Sequence, residues 1–246
     1  MQENLNVRIR DLISGEAMRL AFLPCLTVCS ASLAAADGSA LRPESCSRLA
    51  TAQYDDCSVA NVFRCADGAP AFWIESRDAY GLTVETRNLN HGSVMWDLVG
   101  QGMVVRLDQS KAHPRDTIQN GRAEDRIVGE LELFGRTQPI SGETSYGYFG
   151  ETTVLAGETF ARITFSGVIR MPPPVPDIDG GGLFLYSDRL DLLLEEEVRV
   201  DLETGSSVYR LTRLALSGQA GFGDETPRDG CGEISGLSLP GSEVTG

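Results

Sequence analysis

From about residue 57 the apolar and polar positions alternate with a period of two rather than 3.6, as strands with one covered and one solvated face do. In 92–100, Val94, Trp96 and Leu98 alternate with Ser93, Met95 and Asp97. In 103–108, Met103, Val105 and Leu107 alternate with Val104, Arg106 and Asp108. In 126–134, Ile127, Leu131 and Leu133 alternate with Val128, Glu130 and Glu132. Along 159–171, Ala161, Ile163, Phe165, Ile169 and Met171 share a face opposite Arg162, Thr164, Ser166 and Arg170. Along 189–202, Leu190, Leu192, Leu194, Val198, Val200 and Leu202 oppose Asp191, Glu195, Glu197, Arg199 and Asp201. In 207–217, Val208, Leu214 and Leu216 alternate with Tyr209, Arg213 and Ala215.

Turn chemistry separates these runs. Ala66-Asp67-Gly68-Ala69 reads as a hairpin turn, as do Asn120-Gly121, Ala156-Gly157-Glu158 and Glu203-Thr204-Gly205. Pro172, Pro173, Pro174 and Pro176 exclude a sheet interior, so 171–182 reads as a loop. Helix is scarce; Pro43–Gln53, with Ser45 as a cap, is the one plausible segment. The pattern predicts an all-β fold: about eight to ten antiparallel strands in a single domain over 57–217. Their one apolar face must be covered by a sandwich, a closed barrel or a curved half-barrel. An outer-membrane barrel fits poorly. Its lipid face needs an unbroken apolar band, and Glu196 falls on the apolar parity of the longest run. Glu196 marks either a bulge or a polar group facing a cavity, and the bulge is the better reading.

The first 36 residues read as an address. An apolar stretch over 20–34, interrupted by Pro24, follows Met18-Arg19 and ends in Ala34-Ala35-Ala36. It is too short for a comfortable span and has the form of a secretory signal, so the mature chain is expected to carry no transmembrane segment. Residues 1–17 are polar and precede a better start at Met18; they are an over-extended start or a long leading region. Removal of 1–36 takes Cys25 and Cys29 away and leaves Cys46, Cys57, Cys65 and Cys231. An even number in an oxidising compartment predicts two structural disulfides, with three pairings open. Whichever forms, one bridge ties the tail, 218–246, to the N-terminal segment, 37–56, or to the start of the β-domain. The expected location is periplasmic or secreted.

Charge narrows the partners. Across 246 residues, 21 Lys and Arg face 35 Asp and Glu, for a net charge of -14. That excludes a phosphate-tracking nucleic-acid binder and electrostatic docking on anionic lipid. Candidate chemistry is thin. No Gly-x-Ser-x-Gly elbow, Cys-x-x-Cys pair or dinucleotide fingerprint is present. His91 and His113 lie 22 positions apart in turn-like strings and read as solvated loop residues, so no metal or cofactor is expected. Asp177-Ile178-Asp179-Gly180 is the best loop for a hard cation but lacks a full oxygen set. Glu130, Glu132, Glu195 and Glu197 sit on polar parities and read as a solvated face rather than a glycosidase pair. No catalytic residue emerges. The candidate ligand-binding residues are Trp73, Trp96, Tyr146, Tyr148, Phe149 and Glu196. The 109–125 segment is long for a compact β-domain and reads as a mobile surface loop or a binding loop.

The string Gly150-Glu-Thr-Thr-Val-Leu-Ala-Gly-Glu-Thr-Phe160, followed by an alternating strand, resembles a pattern of bacterial periplasmic half-open barrels related to the lipoprotein-carrier fold. It covers about 20 residues and carries no catalytic group. The resemblance implies a curved sheet whose concave face takes an acyl chain or a hydrophobic partner. The expected function is therefore non-catalytic binding of an apolar small ligand or an envelope protein. The competing readings are a carboxylate-based hydrolase and a structural subunit of an envelope complex.

Overall fold

The computed structural model describes residues 42–66, 70–79, 81–108, 113–173, 175–202, 205–228 and Cys231. The segment 1–36, the tip of the 66–69 turn and the tail beyond Cys231 lie outside the described residues. The twelve described strands are β1 (Cys46–Tyr54), β2 (Val59–Cys65), β3 (Phe72–Asp78), β4 (Gly81–Arg87), β5 (Ser93–Leu98), β6 (Met103–Leu107), β7 (Arg122–Leu133), β8 (Arg136–Leu155), β9 (Glu158–Arg170), β10 (Ile178–Ser187), β11 (Leu192–Leu202) and β12 (Gly205–Leu216). Among the described residues one helix, α1 (Pro114–Asn120), lies between β6 and β7.

Each strand pairs antiparallel with its sequence neighbour, and β1 pairs with β12, so the sheet closes into a barrel. Closure removes both sheet edges. Of the three ways to cover the apolar face, the chain uses this one. The barrel is larger than the alternating runs alone indicate, because β1, β2, β3, β4, β8 and β10 alternate less cleanly. Pro43–Gln53 is not helical. From Cys46 on it belongs to β1, whose Ala50 and Ala52 are fully buried in register with Val62 and Ala60 of β2. Loop 171–182 is shorter than expected: β10 begins at Ile178, and Gly180 and Gly182 pair within it against both neighbours.

Glu196 is a bulge. Leu183 pairs with Glu197 and Phe184 with Glu195, leaving Glu196 between them. The slip switches parity within β11, so Leu193 and Glu195 line the lumen before it, while Val198 and Val200 are fully buried after it. On the outer wall Glu196 receives two hydrogen bonds from Arg162, at 2.7 and 2.8 Å.

Close approach of neighbouring backbone leaves no room for a side chain at several strand glycines, Gly129 and Gly142 among them. A Cβ on Gly129 or Gly142 would lie 2.2 Å from a neighbouring strand's carbonyl oxygen. Backbone cannot rotate away as a side-chain tip can. Gly142→Ala is expected to destabilise the barrel by about 1–3 kcal/mol, the range for overpacking, read as a lower urea midpoint at unchanged slope.

Two disulfides fasten the first strands. Cys46–Cys65 joins the ends of β1 and β2, and Cys57–Cys231 ties the tail to the β1–β2 turn. The tail before Cys231 docks on the outer wall through buried polar groups. Gly223 N donates to Thr51 Oγ1 (2.9 Å), Asn61 Nδ2 to Asp224 O (2.9 Å), and Arg228 N to Gln53 Oε1 (3.1 Å).

Candidate functional site: the barrel lumen and its histidine rim

Buried side chains from around the barrel, among them Val62, Leu98, Val105, Leu131, Phe165 and Val198, pack into one cluster in its interior. A cavity of about 130 Å³ remains. Its apolar wall is formed chiefly by Trp96 of β5, Tyr146 of β8, Ile163, Phe165 and Ile169 of β9, and Phe184 of β10. The Phe165 and Phe184 rings stack at 4.2 Å between centroids.

A polar network occupies one side. Glu85 and Arg87 share the inner face of β4, being two residues apart on a strand. Arg87 donates to both Glu85 oxygens, at 2.8 and 3.0 Å, and to Leu193 O at 3.1 Å. The Ser93 hydroxyl and the Trp96 indole also hydrogen-bond Glu85. Burial pushes the Glu85 carboxyl up, but the charge and hydrogen bonds of Arg87 outweigh it, and the net shift is below the usual range. Tyr209 donates to Glu195 at 2.6 Å. The Tyr146 hydroxyl meets Asp125, and burial together with that charge raises the phenol well above its usual value. Four carboxylates (Glu85, Asp108, Asp125, Glu195) line this space against two guanidinium groups, Arg87 and Arg126, of which Arg126 is exposed. The lumen is apolar over most of its wall and acidic at its polar end.

A glycosidase pair needs one carboxyl held protonated. Glu85 is shifted the other way. Burial raises Asp56 and Asp97, and neither is among the residues lining the cavity.

The six sequence-derived ligand candidates separate. Trp96 and Tyr146 line the cavity. Tyr148 packs beside Ile163 and Tyr186 near α1. Trp73 lies on the opposite face of β3 from Ile74, in an outer cluster with Phe63 and Val84, and its indole donates to Glu75 at 3.1 Å. The Arg42 guanidinium covers Phe63 at 4.0 Å. Phe149 is 78% exposed beside the β8 irregularity, and Glu196 is on the outer wall. Asp177 closes its own turn by accepting from Met171 N at 2.9 Å, and Asp179 is in β10, so the expected cation loop is an ordinary strand entry.

The rim holds a second group, one that turn-like sequence around both histidines had suggested was solvated. In an up-and-down barrel every second connection emerges at the same end. The β4–β5 turn, the β6–β7 connection and the β10–β11 turn therefore share one mouth. In the first, Asn88 Oδ1 accepts from Asn90 N (2.8 Å) and Gly92 N (3.1 Å), which presents His91 at φ 60. In the second, part of the expected mobile loop is α1. His113 is its N-cap, Nδ1 accepting from Arg115 N at 3.0 Å, and Pro114 and Thr117 face the cavity. In the third, Asp191 sits at φ 46.

These residues converge. His91 Nε2 lies 3.0 Å from Asp191 Oδ1, and His113 Nε2 lies 3.8 Å from the same oxygen. Tyr186 donates to Asp191 Oδ1 at 3.1 Å, and Arg64 pairs with Oδ2. The hydrogen bond from His91 holds the Asp191 carboxyl far below the usual range against the opposing effect of burial. Burial pushes His91 below its usual value, with Asp191 opposing. His91 stacks on Phe72 at 4.4 Å and is buried; it is not a solvated loop residue. Its burial was hidden because the partners are far apart in sequence, Asp191 being 100 positions away.

No family model matches the chain, and no curated protein matches it. Among solved structures, the chain is similar to the crystal structure of the hypothetical lipoprotein YmcC of Escherichia coli K12. The match has 8% identity and a TM-score of 0.38, over 69% of this chain and 86% of that one.

Proposed function

We propose that this protein is an extracytoplasmic binding barrel. Its lumen takes one compact ligand, apolar over most of its surface and carrying a cationic or hydrogen-bond-donating end. The observation that carries this reading is the cavity: aromatic and aliphatic on most sides, acidic on one, inside a closed barrel. Its 130 Å³ is close to the ~150 Å³ apolar space that accepts one benzene ring. A ring-sized molecule matches it, and a long acyl chain does not. The acidic end suits an ammonium or amidinium group, with Trp96 and Phe165 offering ring faces to a cation. Two disulfides support an oxidising compartment, periplasmic or secreted.

Native mass spectrometry of the purified chain tests this directly. A retained small amine, lost in a Thr144→Phe variant that fills the cavity, is the expected result. A clean monomer mass from freshly isolated protein counts against the reading.

A further inference from the structure

We propose that His91, His113 and Asp191 form a binding site for a divalent transition-metal ion, zinc being the best match, at the mouth of the barrel.

The three donor atoms lie within 4.8 Å of one another. An ion bound tetrahedrally at about 2.0–2.1 Å needs its donors roughly 3.3 Å apart. His91 Nε2 and Asp191 Oδ1 are at 3.0 Å, and His113 Nε2 and Asp191 Oδ1 at 3.8 Å, on either side of that spacing. The two imidazoles are within 4.8 Å of each other, so binding an ion draws them together. Two imidazoles and one carboxylate suit zinc; calcium and magnesium prefer all-oxygen shells. Three protein donors leave a fourth position for water or a ligand atom.

Asp191 and His91 are each held in place from behind, as metal ligands commonly are. Arg64 occupies Asp191 Oδ2, and Tyr186 donates to Oδ1 at 3.1 Å, so the carboxylate is oriented. His91 is held flat by Phe72 and by its turn. Asp191 and Asp188 offset Arg64 and Arg115, so the surrounding charge does not repel a dication. The side chains of His91, His113 and Asp191 are 2%, 16% and 23% exposed, so the donors at His113 and Asp191 are the ones that solvent reaches.

Coordination has a structural cost at each histidine. His91 binding through Nε2 gives up the hydrogen bond it donates to Asp191 Oδ1. A neutral His113 that binds through Nε2 carries its proton on Nδ1, and can no longer accept from Arg115 N. Metal binding therefore exchanges the N-cap of α1 for a metal bond. The ion would pin three separate connections at one barrel end, and His91 also lines the cavity, so the site borders the lumen.

The test uses the full chain, stripped with chelator and titrated with zinc chloride, then with cobalt(II) as a spectroscopic substitute. The expected result is one tight equivalent of zinc, a raised melting temperature, and the intense visible bands of tetrahedral cobalt. His113→Asn is the decisive variant, because asparagine is a good N-cap and keeps α1 while removing the imidazole. It should weaken zinc binding by at least about 100-fold, since loss of a group merely supporting a ligand costs 10–100-fold. It should melt like the metal-free parent. Absence of stoichiometric zinc binding by the parent overturns the proposal. So does equal binding by His113→Asn. Should that variant misfold, the parent's cobalt spectrum decides alone: weak octahedral-type bands refute the site. The ligand reading of the lumen is read from a different signal, so either can fail without the other.

Discussion

Replacing Arg87 by methionine is expected to lower the stability of the barrel by about 3–5 kcal/mol, the cost of stranding one member of a buried ion pair. Glu85 keeps its place in the lumen but loses the two guanidinium bonds that hold it ionised. The Leu193 carbonyl loses its side-chain donor at the same time. The double variant Glu85→Gln/Arg87→Met should recover much of the loss, because the charge that needed a partner is gone. Equal stability of single and double variants by urea unfolding would show that the pair is not what stabilises this wall. The pH response follows from the same geometry. The folded Glu85 carboxyl lies below its unfolded value of about 4.3. Its contribution is therefore complete above that pH and is lost as pH falls below it. Arg87→Met removes this acid-side dependence.

Removing Cys57–Cys231 should cost more than removing Cys46–Cys65. The first closes a span of 174 positions and the second one of 19. In the chain-entropy model the two limits are about 5 and about 3 kcal/mol. The Cys57→Ser/Cys231→Ser pair also frees a tail whose polar contacts cover Thr51, Gln53 and Asn61 on the outer wall. Hydrogen exchange should accelerate first along β1 and β2, where those groups become wet. If the short bridge proves the costlier one in urea unfolding, the chain-entropy ranking fails for this barrel.

Alternation located β5, β6, β7, β9, β11 and β12 because a period of two survives even where strands are half-buried. It could not say which face was inside. The alternating runs did not include β4, where Thr83, Glu85 and Arg87 alternate with Leu82, Val84 and Thr86. Its more polar face is the inner one: Glu85 and Arg87 line the lumen, and Val84 packs in the outer cluster with Phe63 and Trp73. Trp73, singled out as an aromatic and not by its parity, is in that outer cluster, whereas Trp96 faces Glu85 across the β4–β5 ladder and reaches the cavity. The Glu196 bulge was legible, since a lone carboxylate on an apolar parity is costly to bury and a one-residue slip turns it outward. The rim cluster was not, because His91, His113 and Asp191 meet only once the sheet closes and alternate connections share one mouth. The N-cap at His113 and Pro114 is a local signal that would have revealed α1, but the polar composition of 109–125 concealed it.

The claim that the lumen is a ligand site is tested most directly by the emission of Trp96. A Trp73→Phe variant leaves it as the single tryptophan. Benzylamine, benzyl alcohol and benzoate carry the same ring with a cationic, neutral or anionic end. Titration is expected to give a saturable one-to-one change with benzylamine, a weaker one with the alcohol and none with benzoate. Thr144→Phe should abolish the benzylamine response. No saturable change with any of the three, or tighter binding of benzoate than of benzylamine, would contradict a lumen built for a cationic ring.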